Sequence, residues 1–288
     1  LNTYAWALRT LRQRAFSQQH LSFQLISMSL KQAFSSGHSV LSFELFPPKT
    51  DAGMADLMKS VEELNVHQPD FFTCTYGAGG STRDRTLTIT AQVRSQLKVP
   101  VASHLTCVGS TRDQLRDYLQ LAHERGVDYI VALRGDPPKG ETSFTAVDGG
   151  LRYANELVEL IRAEFPQFDI LVAGYPEVHQ EALSAAADLE CLARKVKAGG
   201  DIVITQLFYD NADYFRFVER CRALGVTAPI VPGILPVTNL AQIQRIEQVR
   251  VVVEHIVRLI VGHVRAKDDL LPCVAAFEGK ACRTICRK

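Results

Sequence analysis

The chain has 288 residues, 47% of them apolar and 22% charged, with a formal net charge of +1. That length and apolar content suit one large α/β barrel, and the near-zero charge gives no electrostatic case for nucleic acid as a partner. No apolar run reaches the roughly 18 residues of a membrane span, and seven cysteines without CxxC spacing suggest reduced thiols in a cytoplasmic protein.

The first segment is uneven in charge. Leu1 to Phe43 carries Arg9, Arg12, Arg14 and Lys31 and no acid. Such a stretch fits an organelle presequence, or residues outside the native fold with Met28 as the true start. The expectation is the second, with residues 1–37 a basic extension, disordered or non-native.

From residue 40 a regular alternation sets in. Strands are expected at Val40–Phe46, Asp70–Tyr76, Val99–Thr106, Asp128–Leu133, Asp169–Ala173, Asp201–Leu207 and Pro229–Ile234. Helices are expected between them, at Asp51–Leu64, Arg83–Leu97, Thr111–Arg125, Leu151–Glu164, Glu181–Ala198 and Ala212–Leu224, with another from Leu240 onward. Asp51, Thr111 and Asp210 or Asn211 are the candidate caps. Strict alternation implies a parallel sheet. Seven such units without a dinucleotide fingerprint point to a (β/α)8 TIM barrel rather than a doubly wound sheet.

In such a barrel the strand C-termini make the active face, and polar residues collect there. The first strand brings Glu44, the second Thr75-Tyr76 and a glycine-rich turn, the third His104 and Thr106. The fourth ends in Arg134-Gly135-Asp136, the fifth in Tyr175 to His179, the sixth in Gln206. Each has a plain structural reading. Glu44 fits an edge carboxylate facing water, His104 a hydrogen-bonded core histidine, and Arg134 with Asp136 an ion pair ending a strand. Gln206, inside an apolar strand, would need partners for a buried amide. Six consecutive strands ending in this way argue for a site. Glu44, His104, Asp136 and His179 suit a divalent metal. Arg134, and Lys195 with Arg194 beside it, suit a phosphate or pyrophosphate. Tyr76, Tyr153, Tyr175, Phe208 and Gln206 suit a flat heterocycle. A phosphate-bearing flavin meets the last two better than a metal does, and the residues alone name no reaction.

The stretches SFELFPPKT, TYGAGGSTRDRT, HLTC, ALRGDPP, GYPEVH, DIVITQLFYD and VPGILPVTN occur in this order between about Ser39 and Gln248. Together they resemble the methylenetetrahydrofolate reductases, barrel flavoenzymes of one-carbon metabolism. The resemblance implies non-covalent FAD and a ping-pong reaction. NADH or NADPH reduces the flavin and leaves, and 5,10-methylenetetrahydrofolate is then reduced to 5-methyltetrahydrofolate for methionine biosynthesis. It also implies a homo-oligomer. By the same resemblance Glu44 is the general acid, a role that asks for a partly sheltered carboxyl. Asp136 lies beside flavin and pterin, Gln206 contacts folate and nucleotide, and Gln242 is a further substrate contact. The implied FAD pocket takes Thr75, His104, Leu133, Arg134, Gly135 and Asp136 from the second to fourth units. From the fourth and fifth it takes Tyr153, Ala154, Ala173, Tyr175, His179, Asp188 and Lys195, with Arg134 and Lys195 toward the phosphates.

After Gln248 the resemblance is lost. Val249–Val264 reads as a helix, and Leu270–Phe277 is the candidate eighth strand, demoted by Pro272. The eighth strand is therefore doubtful or missing. The expected division is an extension at 1–37, an FAD-binding barrel at 38–248 and a divergent segment at 249–288, with no regulatory domain following. Two competing readings are a non-catalytic or mis-framed remnant of such an enzyme and a metal-dependent barrel lyase.

Overall fold

In the computed structural model, which describes residues 29–35, 39–76, 83–137, 144–208 and 210–235 and the backbone of 283–286, the apolar runs become short parallel strands. They are β1 (Leu41–Leu45), β2 (Phe71–Cys74), β3 (Val101–Thr106), β4 (Tyr129–Leu133), β5 (Asp169–Gly174) and β6 (Ile202–Thr205). Helix α1 (Leu30–Ser35) precedes them. The connecting helices are α2 (Asp51–Asn65), α3 (Arg83–Leu97), α4 (Arg112–Glu124), α5 (Ala154–Glu164) and α6 (Ala185–Lys197), and α7 (Asn211–Ala223) follows β6. From β1 to β6 each strand pairs in parallel with its sequence neighbour, as helical crossovers require.

The seventh strand is split. β7 (Ile230–Val231) pairs with β6, and β8 (Gly233–Ile234) pairs with β9 (Arg283–Cys286). Pro232 lies between the halves and has no N–H to give the ladder. β9 also pairs with β1 over Leu41 to Glu44, so the order β7-β6-β5-β4-β3-β2-β1-β9-β8 turns back on itself. This is the (β/α)8 plan, with the eighth place held by the four residues Arg283–Cys286, which were not among the expected strands. The candidate strand Leu270–Phe277, the helix from Leu240 and the segment Val249–Val264 lie outside the described residues.

Alternating strand residues sort into two cores. Phe43, Leu45, Phe72, Leu105, Ile130, Val172 and Val203 pack outward against helix residues such as Leu115, Leu119, Leu157, Ile161 and Phe217. Phe71, Ala102, Tyr129, Val131, Leu171, Ile202 and Val231 pack inward, where Leu30 and Ala33 of α1 join them. Phe71 meets Tyr129 edge to face at 5.7 Å. Burying a side chain of that size contributes about 2–3 kcal/mol. The extension expected through residue 37 thus ends earlier: α1 belongs to the barrel, as a plug in its lower end.

The lower end is held by a repeated device. Asp70, Asp128 and Asp201 each stand one residue before a strand. Their carboxylates accept from the backbone N–H of the neighbouring strand, at Leu41 (2.7 Å), Val101 (3.0 Å) and Ile170 (2.8 Å). Asp169 accepts from the Leu30 N–H at 2.6 Å, which ties α1 down, and burial raises its pKa above the ordinary 3.8. Asp201 also meets Arg162 and Lys31, each at 2.5 Å, while only 4% exposed.

Helix starts differ from the expectation by small steps with clear causes. Thr50, not Asp51, caps α2, accepting from Gly53 N–H at 3.1 Å. Thr111 and Gln114 form a capping box on α4. Ser184 caps α6 through the Ala187 N–H at 3.1 Å, so that helix starts at Ala185 and Glu181 is left in the preceding loop.

Asp201→Ala should lower unfolding stability by about 3 kcal/mol, because it strands a buried N–H and the Arg162 charge together. Arg116→Ala, in an exposed ion pair, should leave the urea midpoint nearly unchanged. Equal midpoints for Asp201→Ala and wild type would show that the lower clasp holds nothing.

Candidate active site

The upper ends of the strands carry the polar residues. Glu44, in β1, shares the inward register of Val40 and stands level with Thr73 of β2. It is half-buried. Thr73 Oγ1 lies 3.1 Å from His104 Nε2 on β3. Burial lowers the His104 pKa below the ordinary 6.5, and the charge of Glu44 opposes that only in part. A neutral imidazole therefore stands in the barrel beside a carboxylate.

Above His104, Thr106 is buried, and its Oγ1 has no hydrogen-bond partner among the described residues. Thr106 is level with Leu133, the last residue of β4. The chain then turns through Gly135, whose φ of +89° lies in the left-handed region. A Cβ there would stand 2.9 Å from Val108 Cγ1 and 3.0 Å from Thr106 Cβ. The turn delivers Arg134 half-buried and Asp136 exposed at the mouth.

Arg134 is not paired with Asp136, as the plain reading of the strand end had it. Its Nη1 and Nη2 meet the two carboxylate oxygens of Glu181 at 2.6 and 2.8 Å, and its Nε donates to Gly135 O at 3.2 Å. Phe144 lies against the guanidinium at 5.3 Å from the ring centroid. The bond to Arg134 holds the Glu181 carboxyl below the usual carboxylate range. Glu181 was missed because its position reads as the start of a helix. The signal that finds it is Ser184, a better cap three residues on.

The loop after β5 supplies the facing wall. The rings of Tyr175 and His179 meet edge to face at 4.6 Å. The His179 N–H is held by Asp188 at 3.0 Å, and His179 Nδ1 accepts from the Glu181 N–H at 3.1 Å. Between them Val178 has φ +73°, a conformation that β-branched residues rarely adopt. Lys195 reaches from α6 to donate to Ala173 O at 2.5 Å, with its Nζ 5.9 Å from the Tyr175 ring. Burial pushes its ammonium down to about 8, against the pull of Asp188.

The remaining expected residues fall at the same mouth or outside the described chain. Thr75 follows β2, and its carbonyl accepts from Thr86 Oγ1 at 2.8 Å. Tyr153 and Ala154 begin α5, with Tyr153 58% exposed. Gln206 is exposed, not buried: β6 ends at Thr205, and the Gln206 side-chain oxygen accepts from the Leu207 N–H at 3.0 Å. Gln242 and Gly77 to Gly80 lie outside the described residues.

Among the described residues no group of His, Cys, Asp and Glu converges to hold a metal ion, so Glu44, His104, Asp136 and His179 do not form one centre. Burial raises the Cys107 thiol to about 12 and the Cys74 thiol further, which leaves neither as a nucleophile at neutral pH. Among the described residues no helix is long and apolar enough to cross a membrane.

The family profile described as methylenetetrahydrofolate reductase matches residues 29–277. It begins where α1 begins and continues past Gln248, where the residue-level resemblance ends. A rice (Oryza sativa) protein named probable methylenetetrahydrofolate reductase (NADH) is 42% identical over 73% of this chain and 37% of its own length. A 5,10-methylenetetrahydrofolate reductase of Escherichia coli is 43% identical over 73% of this chain and 68% of its own. One of Pectobacterium carotovorum is 44% identical over the same shares. The chain thus matches little more than a third of the length of the plant relatives. A solved Clostridium thermocellum protein, described as binding two copies of 5-methyl-5,6,7,8-tetrahydrofolic acid, superposes with a TM-score of 0.57. The two are 15% identical, over 91% of this chain and 93% of that one. A 2,3-dimethylmalate lyase superposes with a TM-score of 0.52 at 9% identity, over 76% and 75% of the two chains. At these identities the likeness is one of fold.

Gly135→Ala should destabilise the protein by about 1–3 kcal/mol, since both φ and the contact with Val108 oppose a side chain. A chemical unfolding curve checks it. The His104 shift gives a second expectation. The folded state holds the imidazole neutral, and the unfolded state takes up a proton near 6.5. Its contribution is therefore complete above that pH and is lost progressively as the pH falls below about 6.5 toward and through the lowered folded-state pKa. His104→Gln should flatten this part of the pH–stability curve. An unchanged slope would remove His104 as its source.

Proposed function

Because this chain belongs to the methylenetetrahydrofolate reductase family, we propose that it reduces 5,10-methylenetetrahydrofolate to 5-methyltetrahydrofolate, with a reduced nicotinamide nucleotide as hydride donor and FAD as the bound carrier. The observation that carries this reading is the mouth itself. A half-buried carboxylate, Glu44, faces inward beside a neutral histidine, and two cations, Arg134 and Lys195, stand on the opposite wall.

The residues fit a flavin dinucleotide on three counts. The orphan hydroxyl of Thr106 offers a hydrogen bond inside the barrel. The left-handed turn at Gly135, packed on Val108 and Thr106, carries Arg134 and Asp136 to the mouth. Arg134 and Lys195 supply charge for a diphosphate, with Tyr175 and His179 as an aromatic wall. When bound, FAD would supply the hydride relay between nicotinamide and folate.

The chain's own residues have separable tasks. Glu44 acts as the general acid, delivering a proton from its carboxyl to the amine nitrogen of the methylene bridge in the folate, so that the bridge opens to an electrophilic iminium. His104, held neutral by burial, is oriented by Thr73 and does not compete as a proton donor. Asp136 and Gln206, both exposed, would accept from and orient the pterin edge. Leu133 and Ala173, at the ends of adjacent strands, give the floor of the mouth an apolar surface against which a flat ring can exclude water.

The purified chain should be yellow, with flavin released on denaturation. In Glu44→Gln the nicotinamide nucleotide should still bleach the flavin at near wild-type rate, while reoxidation by methylenetetrahydrofolate falls at least a hundredfold, the usual weight of a general acid. Equal loss in both half-reactions would sink the role given to Glu44, and a colourless chain that takes up no FAD would sink the reading.

A further inference from the structure

Arg134 has two edges on which an oxyanion can sit with paired hydrogen bonds, and both are taken. Glu181 spans the Nη1–Nη2 edge at 2.6 and 2.8 Å, and Gly135 O occupies the Nε position at 3.2 Å. Phe144 lies against the guanidinium as well. A phosphate that is to meet this guanidinium in the two-pronged way such pairs favour needs the edge that Glu181 holds.

Glu181 is built to let go. Its side chain is 44% exposed, against 21% for Arg134, so water can take over its oxygens at small cost. Its backbone is anchored separately, by the N–H bond to His179 Nδ1 at 3.1 Å, while the Ala182 N–H bonds to His179 O at 2.9 Å. The carboxylate can swing without moving the loop that carries it. Next to this anchor stands Val178 at φ +73°, which marks the loop as held in one shape by its contacts rather than by its own preference.

We propose that Glu181 is a displaceable stand-in for phosphate at Arg134: its carboxylate occupies the guanidinium fork and competes with the diphosphate of the cofactor. Glu181 thereby keeps the cation paired and aimed before binding, and sets how strongly the site prefers a diphosphate-bearing flavin over the bare ring system. The identity of that diphosphate rests on the flavin reading, whereas the competition itself does not.

The test compares the full wild-type chain with Glu181→Gln, freed of flavin, in titrations with FAD, with riboflavin and with inorganic pyrophosphate. Flavin binding is followed by fluorescence and pyrophosphate binding by the rise in melting temperature. Glu181→Gln should bind FAD and pyrophosphate roughly two- to fivefold more tightly, the size of a half-exposed ion pair that no longer competes. Riboflavin affinity should not change, and adding Arg134→Gln should cancel the gain. If Glu181→Gln does not fold, Glu181→Asp, too short to span the fork in the same way, carries the same expectation. Equal or weaker binding of both diphosphates by the folded variant overturns the proposal, as does an equal gain for riboflavin. Failure of either protein to bind any flavin overturns the flavin reading instead, and the pyrophosphate titration then decides the role of Glu181 alone. A lack of pyrophosphate binding as well ends it.

Discussion

Parallel strands buried on both faces leave a barrel only two places for charge, its two ends. Ile130, Ala132, Ile170 and Val203 are fully buried outward, and Ala102, Leu171 and Ile202 are fully buried inward. A carboxylate within those layers would cost several kcal/mol. The chain therefore keeps its acids at or near the strand ends. At the lower end the carboxylates are consumed by the fold, each closing on a backbone N–H of a neighbour. At the upper end Glu44 comes from β1, Arg134 and Asp136 from the turn after β4 and Lys195 from α6, exposed to different degrees. The same constraint thus makes one end structural and the other chemical.

This division explains why the fold was legible in the residues and the site only partly so. Apolar runs bounded by Gly, Pro and caps fix strands and helices locally, and from β1 to β8 the observed elements match the expected ones with ends shifted by a few residues, whereas α1 and β9 were not expected. The lower clasp was not read from the residues, although an Asp stands before or at the start of four apolar runs, Asp70, Asp128, Asp169 and Asp201. It has no periodicity of its own and is understood only once the strands are side by side. Helix α1 escaped notice for a related reason. Six residues are too few to show a pattern, and its partners lie far along the chain.

Within the site, residue types and their placement at strand ends pointed to the right mouth, but pairing did not follow from sequence. Arg134 and Asp136 are two apart, and proximity suggested a bond; the turn at Gly135 sends them to different places, and the guanidinium is met from another unit by Glu181. Gln206 looked buried because the residues before it are, yet the strand stops one residue earlier. In both cases one backbone turn decides the outcome, and its cause lies in contacts across the barrel.

The floor of the barrel has a temporal side. The amide of Leu30 waits for the carboxylate of Asp169, a separation of 139 residues, and Lys31 waits for Asp201, further still. On a ribosome α1 emerges among the first described parts of the chain, and its docking site is completed only when β5 and β6 have followed. Until then Leu30, Ala33 and the inward faces of the early strands are exposed together, at the stage when a growing chain is most open to aggregation or to holding by chaperones. A helix of six residues cannot persist alone in that interval. It folds late although it is made early, and the barrel is shut from below by one of the first described segments to be synthesised.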